Sequence, residues 1–254
     1  MTVVVAAAVG IRFAMGWALI SVEKYCPFGG LETAYALIAR KRFTCAAGEL
    51  NLALFIALIA LTLLARKAFC GWACPLGAVF EWTGRLGRRV FKRETFQGLW
   101  VIPPKVDGAL KIVLRCIVTA VILGATWATG ELVFRGYDPY YILFSAHGHD
   151  VRMWSYGILA ALLVLGMLIP LAWCKYLCPL GAVLWPFSAA GRLRLERSED
   201  HCTGCGSCDQ ACPQALDVSE ALGVRSGECT LCLECTAACP APGALELRWK
   251  GVAR

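Results

Sequence analysis

Long apolar stretches separated by short charged segments dominate the chain. Thr2 to Ser21, Ala46 to Ala65, Ala109 to Gly130 and Met153 to Trp173 are each runs of mostly apolar residues, close to the ~20 residues that cross a bilayer core as a helix. The pattern predicts a membrane all-α domain of four transmembrane helices over residues 1–190. A small α+β domain, richer in polar residues, follows over residues 191–254. No basic segment precedes the first run, Arg12 interrupts it, and Glu23-Lys24-Tyr25 stand where a small-residue cleavage site belongs. That run therefore reads as an uncleaved span rather than a secretory signal. Leu31 to Arg40 is helix-like but too short to cross, which suits an interfacial helix.

Composition agrees with this division, since 58% of the residues are hydrophobic and 17% charged. The connection from Arg66 to Lys111 carries Arg66, Lys67, Arg85, Arg88, Arg89, Lys92, Arg93, Lys105 and Lys111 against Glu81, Glu94 and Asp107. By the positive-inside rule it faces the cytoplasm. The connection from Glu131 to Arg152 has little positive charge and belongs outside, which brings the tail back to the cytoplasmic face; Arg40-Lys41-Arg42 is the one block that opposes this scheme. The expected location is a bacterial inner membrane, multi-pass, with the tail in the cytoplasm. The net charge of +7 is accounted for by these flanking blocks, and no nucleic-acid surface is indicated.

Fifteen cysteines change the picture from membrane anchor to redox protein. Cys70-Gly-Trp-Ala-Cys74-Pro75-Leu-Gly-Ala-Val and Cys174-Lys-Tyr-Leu-Cys178-Pro179-Leu-Gly-Ala-Val repeat one frame, C-x3-C-P, each after a long apolar run. Two repeats of the same topology pack about an axis along the membrane normal, which brings Cys70, Cys74, Cys174 and Cys178 toward one another, with Pro75 and Pro179 starting short amphipathic helices. Three roles stay open for these four residues: a shared four-thiolate iron–sulfur site, a thiol–disulfide or flavin-proximal role, or cysteines packed in a core.

The tail is more specific. His201 to Pro213 and Glu228 to Pro240 both contain C-x2-C-x2-C-x3-C-P, the spacing that holds two 4Fe-4S clusters with the fourth cysteine of each motif crossing to the other cluster. One cluster is expected at Cys202, Cys205, Cys208 and Cys239, and the second at Cys229, Cys232, Cys235 and Cys212. Zinc accepts thiolates too, but leaves the doubled fourth cysteine and its proline unexplained. So dense a thiolate set wants a reducing compartment.

The remaining candidates are weaker. Cys26 and Cys45 could form an outer disulfide or a half-site, and Cys116 reads as packed. Asp138-Pro-Tyr140-Tyr141, His147-Gly-His149-Asp150, Glu23, Lys24, Tyr25 and Glu32 fall on predicted outer loops and offer groups for quinol hydroxyls. A quinol bound there would be a core thickness, roughly 30 Å, from inner clusters, so a quinone site near the inner cysteines gives the shorter path.

Apolar spans ending in C-x3-C-P and followed by a double C-x2-C-x2-C-x3-C-P tail resemble the membrane-bound ferredoxin family, which includes NapH-type subunits and the C-terminal portion of NosR-type proteins. The resemblance is strong from Cys70 onward and weaker from Tyr25. It implies electron transfer between the quinone pool, or a cytoplasmic donor, and a partner redox protein: other subunits of a membrane complex or a soluble carrier. No acid–base set for a complete enzyme is evident. An accessory role in maturing or regulating another metalloenzyme, or in anchoring a ferredoxin-like partner, is the alternative.

Overall fold

The computed structural model describes residues 30, 33–34, 48–92, 104–129, 138–144, 153–220, 224 and 226–249. The expected first span, the helix-like segment 31–40 beyond Thr33 and Ala34, Cys26, Cys45 and the His147–Asp150 group lie outside these residues.

Helix α1 (Gly48–Ala65) stops where Arg66 turns left-handed, at φ 54°. A single turn, α2 (Ala68–Trp72), carries Cys70, and α3 (Pro75–Val90) begins at a proline in its first position, where a missing N–H costs nothing. Helix α4 (Pro104–Thr129) is followed by the short α5 (Pro139–Phe144), whose start is capped by Asp138 Oδ1 accepting from the Tyr140 N–H at 3.0 Å. Helix α6 (Met153–Leu168) breaks at Pro170 and at Leu171, φ 58°; a π-helical turn over Trp173–Leu177 then leads into α7 (Pro179–Ala189).

This corrects the expected four-helix transmembrane bundle. Among the described residues one helix, over Val106–Ala128, is long and apolar enough to cross a membrane; Leu50–Ala65 and Met153–Leu168 are shorter apolar helices. The physical reason is helix termination. The apolar run from Met153 to Trp173 counts residues that the chain spends on a left-handed turn and a π turn, leaving 16 in α6, or about 24 Å at 1.5 Å per residue.

Helix α4 is amphipathic with its sides reversed. Asp107, Lys111 and Arg115, four residues apart, are buried, whereas Val106, Ile112, Val113, Ile117, Val121 and Trp127 face outward. Charges inside and aliphatics outside suit a helix solvated by lipid.

The two repeats interlock. Helix α3, which leaves the first frame, packs on α6 of the second repeat, while α7, which leaves the second frame, packs on α1 of the first and on α4. Glycines permit the crossing: a Cβ on Gly87 would lie 2.1 Å from Met167 O, and one on Gly191 2.6 Å from Arg66 Cγ. Leu76, Phe80, Leu162, Leu171 and Trp173 form the core where the repeats meet.

The tail starts with β1 (Leu193–Arg197), paired antiparallel with β2 (Leu245–Trp249) in the register Leu193↔Trp249 to Arg197↔Leu245. Between the strands lie two single turns, α8 (Ser207–Ala211) and α9 (Glu234–Ala237), packed on each other. A small core of Leu195, Cys208, Val218, Val224 and Leu245 joins them to the sheet. Asp209 Oδ1 pins the loop that follows by accepting from the N–H groups of Val218 (2.6 Å) and Ser219 (2.9 Å).

Gly87→Ala should therefore destabilise the protein by about 1–3 kcal/mol through overpacking. Gly108→Ala, on the open side of α4 with nothing within 4 Å of the added Cβ, should instead be neutral or stabilising by up to ~1 kcal/mol. Thermal unfolding of both variants in one detergent checks the pair.

Candidate functional site

The interlock brings the repeated frames together. Cys74, Cys174 and Cys178 pack against one apolar cluster, and the thiols of Cys70, Cys74, Cys174 and Cys178 are close enough to act on each other electrostatically. Cys74 and Cys178 both occupy the position before a helix, with φ −72°, ψ 114° and φ −69°, ψ 113°. Cys212, which precedes Pro213 in the tail, has φ −74°, ψ 113°. Proline restricts the residue before it to extended backbone, and the shared C-x3-C-P spelling thus becomes one shared local shape in three places. Asp138 and Tyr140, expected on an outer loop, belong to the same neighbourhood: Tyr140 and Leu143 pack on that cluster, and Asp138 acts on Cys74 and Cys178. Cys116, expected to be packed, is exposed.

The first frame touches the tail directly. Trp72 Nε1 donates to Leu231 O at 2.9 Å, and a Cβ on Gly71 would lie 2.6 Å from Thr230 O. Cys70–Cys74 and Cys229–Cys232 are thus adjoining loops. Beside this contact Glu228 Oε2 accepts from Lys67 Nζ at 3.0 Å and from Arg115 Nη2 at 2.7 Å, all three side chains being buried. Arg115 also donates to Lys175 O (2.6 Å) and Gly181 O (3.2 Å), on either side of Cys178. Lys111, ion-paired with Asp107, reaches Gln214 O at 2.8 Å, two residues beyond Cys212, and Tyr176 donates to Asp107.

In the tail the two cysteine loops have matching backbones. Gly204 and Gly206 are left-handed at φ 70°, and Leu231 and Leu233, at the same places in the second loop, are left-handed at φ 49° and 62°. A leucine held there costs of order 1–3 kcal/mol, the kind of strain that persists where a loop must take a functional shape. The turn aims backbone N–H groups at sulfur: Gly204 toward Cys202, Ser207 toward Cys205, Gln214 toward Cys212, Leu231 toward Cys229 and Glu234 toward Cys232. Cys212 lies near Cys229, Cys232 and Cys235, whereas Cys208 lies near Cys239, and Cys202 near Cys205.

A small, partly open cavity is lined by Cys212, Cys229, Cys232 and Cys235, with Leu195, Pro213, Leu216, Val218, Val224, Leu231 and Leu233 as its apolar wall. Among the described residues no three Cys, His, Asp or Glu side chains converge on a point that would hold a single metal ion. Four thiolates on one zinc would have sulfurs roughly 3.8 Å apart, given bonds of about 2.3 Å in a tetrahedron. A cubane, whose thiolates each bind a different iron, needs wider spacing, an apolar wall and N–H donors to sulfur. The cavity provides the apolar wall and, from Gln214, Leu231 and Glu234, the N–H donors.

Burial divides the thiols into two groups. It pushes Cys74 up to about 11 and Cys235 up to about 12, the latter helped by neighbouring Cys212. In the exposed first loop, the Ser207 hydroxyl and backbone N–H bring Cys205 down to about 7, and Arg197 lowers Cys202. Burial alone would raise Glu228, but Lys67 and Arg115 together hold its carboxyl below the usual range.

Comparison with known proteins agrees with the geometry. The family described as 4Fe-4S binding domain matches residues 48–94 and again 151–197, one match on each frame, and the 4Fe-4S dicluster domain matches 194–240. The chain belongs to the membrane-associated 4Fe-4S ferredoxin-type family. It is 30% identical over 229 residues to the Escherichia coli (strain K12) protein YccM, named for electron transport, covering 88% of this chain and 62% of YccM. The protein MJ0750 of Methanocaldococcus jannaschii is 32% identical, with 74% and 75% covered. The ferredoxin-type protein NapH of E. coli is 23% identical, with 74% and 65% covered. No solved structure matches. This ferredoxin-type chain is thus an iron–sulfur protein with 4Fe-4S binding domains on its frames and in its tail, and it spans less than two thirds of the length of YccM.

The sequence reading missed the charged residues that join the frames to the tail. Arg66, Lys67 and Lys111 had been counted as loop charges that orient the chain, yet all are buried. Arg115 stood inside a predicted span, and its spacing of four from Lys111 and eight from Asp107 was the available signal, because ionisable residues in an apolar helix face protein.

Glu228→Gln should cost about 3–5 kcal/mol, because two buried cations lose their carboxylate. The wild type should also lose stability on acidification. A carboxyl held low in the folded state contributes fully above its unfolded value, about 4.3, and that contribution disappears as pH falls through the folded value. Denaturant unfolding across pH checks both expectations, the variant lacking the acid step.

Proposed function

We propose that the chain is a one-electron relay between the membrane quinone pool and a partner redox protein, with its tail on the cytoplasmic side. Cys202, Cys205, Cys208 and Cys239 hold one tail cluster, Cys229, Cys232, Cys235 and Cys212 the other, and Cys70, Cys74, Cys174 and Cys178 a third. The observation that carries this reading is the contact of Gly71 and Trp72 with Thr230 and Leu231, which sets a membrane-side cysteine loop directly against a tail cysteine loop. A 4Fe-4S cluster, when bound, takes up and releases single electrons without moving atoms.

The protein's own groups do the rest. N–H groups at each turn bond sulfur, apolar walls keep water away, and the Glu228 ion pairs hold the tail against the frames. The Cys202–Cys208 loop, in which Cys205 is exposed, is the face offered to a soluble carrier or a neighbouring subunit. The quinone side is supported by the kinship with respiratory ferredoxin-type proteins and by Tyr140 and Asp138 beside the four-cysteine site.

The chain, prepared anaerobically in lipid nanodiscs, should contain about twelve iron atoms, four per cubane, and a Cys74→Ala, Cys178→Ala double variant should lose about four while keeping the tail signals in electron paramagnetic resonance. Wild type with only about eight, unchanged in the variant, would remove the third cluster. Reduction of the clusters by an added quinol is expected in nanodiscs, and clusters that stay oxidised under quinol but not under dithionite would remove the quinone.

A further inference from the structure

Five cations but only three carboxylates are buried among the described residues: Arg66, Lys67, Lys111, Arg115 and Lys175 against Asp107, Asp138 and Glu228. An uncompensated buried charge is costly even after the surroundings relax, so the surplus calls for a partner. Arg66 is occupied by carbonyls, donating to Leu193 O at 3.0 Å and Ser226 O at 2.8 Å. Lys67 and Arg115 share a single oxygen of Glu228, whose other oxygen has no hydrogen-bond partner. Lys111 has Asp107 and Gln214 O. Lys175 is only 4% exposed and forms no ion pair among the described residues.

The arrangement has a direction. Beside the Trp72–Leu231 contact, Lys67, Lys111 and Arg115 form a layer that bonds the tail at Gln214 O and Glu228, and Arg115 donates to the backbone of Lys175. Lys175 stands between Cys174 and Cys178 in the chain and acts electrostatically on Cys174 on one side and Cys212 on the other. Asp138 does not offset it, since that carboxylate faces Cys74 and Cys178, and Asp107, which does act on it, is already paired with Lys111, a second cation at its side. Among the described residues the first tail loop has no such layer: Arg197 is beside Cys202, but Glu199 and Asp209 are also close by, and Cys205 lies in solvent, which screens charge.

A cubane held by four thiolates is anionic and becomes more so on reduction, and nearby cations favour the reduced form. We propose that this buried cation layer is the counter-charge for the iron–sulfur sites on its two faces, and that Lys175 raises the reduction potential of the Cys212, Cys229, Cys232, Cys235 cluster above that of the other tail cluster. Lys175 is a positioning residue for electrons: it touches neither donor nor acceptor, and its charge decides which tail cluster fills first. The inference rests on the cluster assignment made above.

The test is a redox titration of the full chain in nanodiscs, followed by electron paramagnetic resonance, with Lys175→Met, Lys175→Gln and Lys175→Arg; Cys229→Ala identifies which signal belongs to the second cluster. The neutral variants should shift that midpoint to lower potential and leave the other tail cluster in place, and Lys175→Arg should restore it. Equal shifts of both clusters, or none, would overturn the inference. A second measurement needs no cluster. After iron is removed, Lys175→Met should unfold at a higher temperature than wild type, because an uncompensated buried charge is gone, and the advantage should vanish in the loaded protein. An apo variant no more stable than apo wild type counts against the proposal. Wild type with no tail cluster signals would overturn the functional reading itself and this inference with it, and iron analysis before titration separates that case.

Discussion

One carboxylate oxygen, Glu228 Oε2, accepts from cations supplied by two distant parts of the chain: Lys67 after α1 and Arg115 within α4. Everything on the tail side of the molecule depends on it. Glu228 immediately precedes Cys229, so fixing its side chain fixes the start of the second cysteine loop, and Arg115 carries the constraint onward to the carbonyls of Lys175 and Gly181 around Cys178. A buried ion triad is a poor source of net stability, because desolvation consumes most of the attraction. What it supplies is alignment: a tail shifted by one residue would strand two cations in an apolar interior.

The alignment would be useless had the frames remained apart. Reciprocal packing, α3 on α6 and α7 on α1, makes each repeat complete the other, and the cost falls on glycine positions where any side chain would meet backbone. Four cysteines from two sequence-distant loops therefore share one neighbourhood. Backbone position brings them there, with Cys74 and Cys178 each set before a proline that starts a helix.

Some of this was legible in the sequence because it is local. The double tail motif specifies its own loops, and the left-handed positions fall on the same two places in each, occupied by glycines in one copy and leucines in the other. Proline after Cys74 and Cys178 foretold helix starts that are present. The long helix α4 was visible as an apolar run. The length of α6 was not, since hydropathy counts residues without seeing that Leu171 turns left-handed, whereas α1 ends at Ala65, as its apolar run does. Nor could loop charges be told from buried ones: Lys67 and Lys111 look like topology signals until tertiary structure supplies Glu228 and Gln214 O. Asp138 and Tyr140 were placed by counting crossings, and short α5 packing against the cysteine core breaks that count.

The strand pairing bears on how the protein is made. β1 follows α7 almost at once, whereas its partner β2 is reached only after both cysteine loops. The cavity in the tail takes one wall from Cys212–Gln214 and the other from Cys229–Cys235. It has no existence on a chain still leaving the ribosome with only its first loop translated, when β1 is an open edge already tethered at the membrane side. A group held by these four cysteines can therefore enter only after the chain has passed Cys235 and the second loop has folded back on the first.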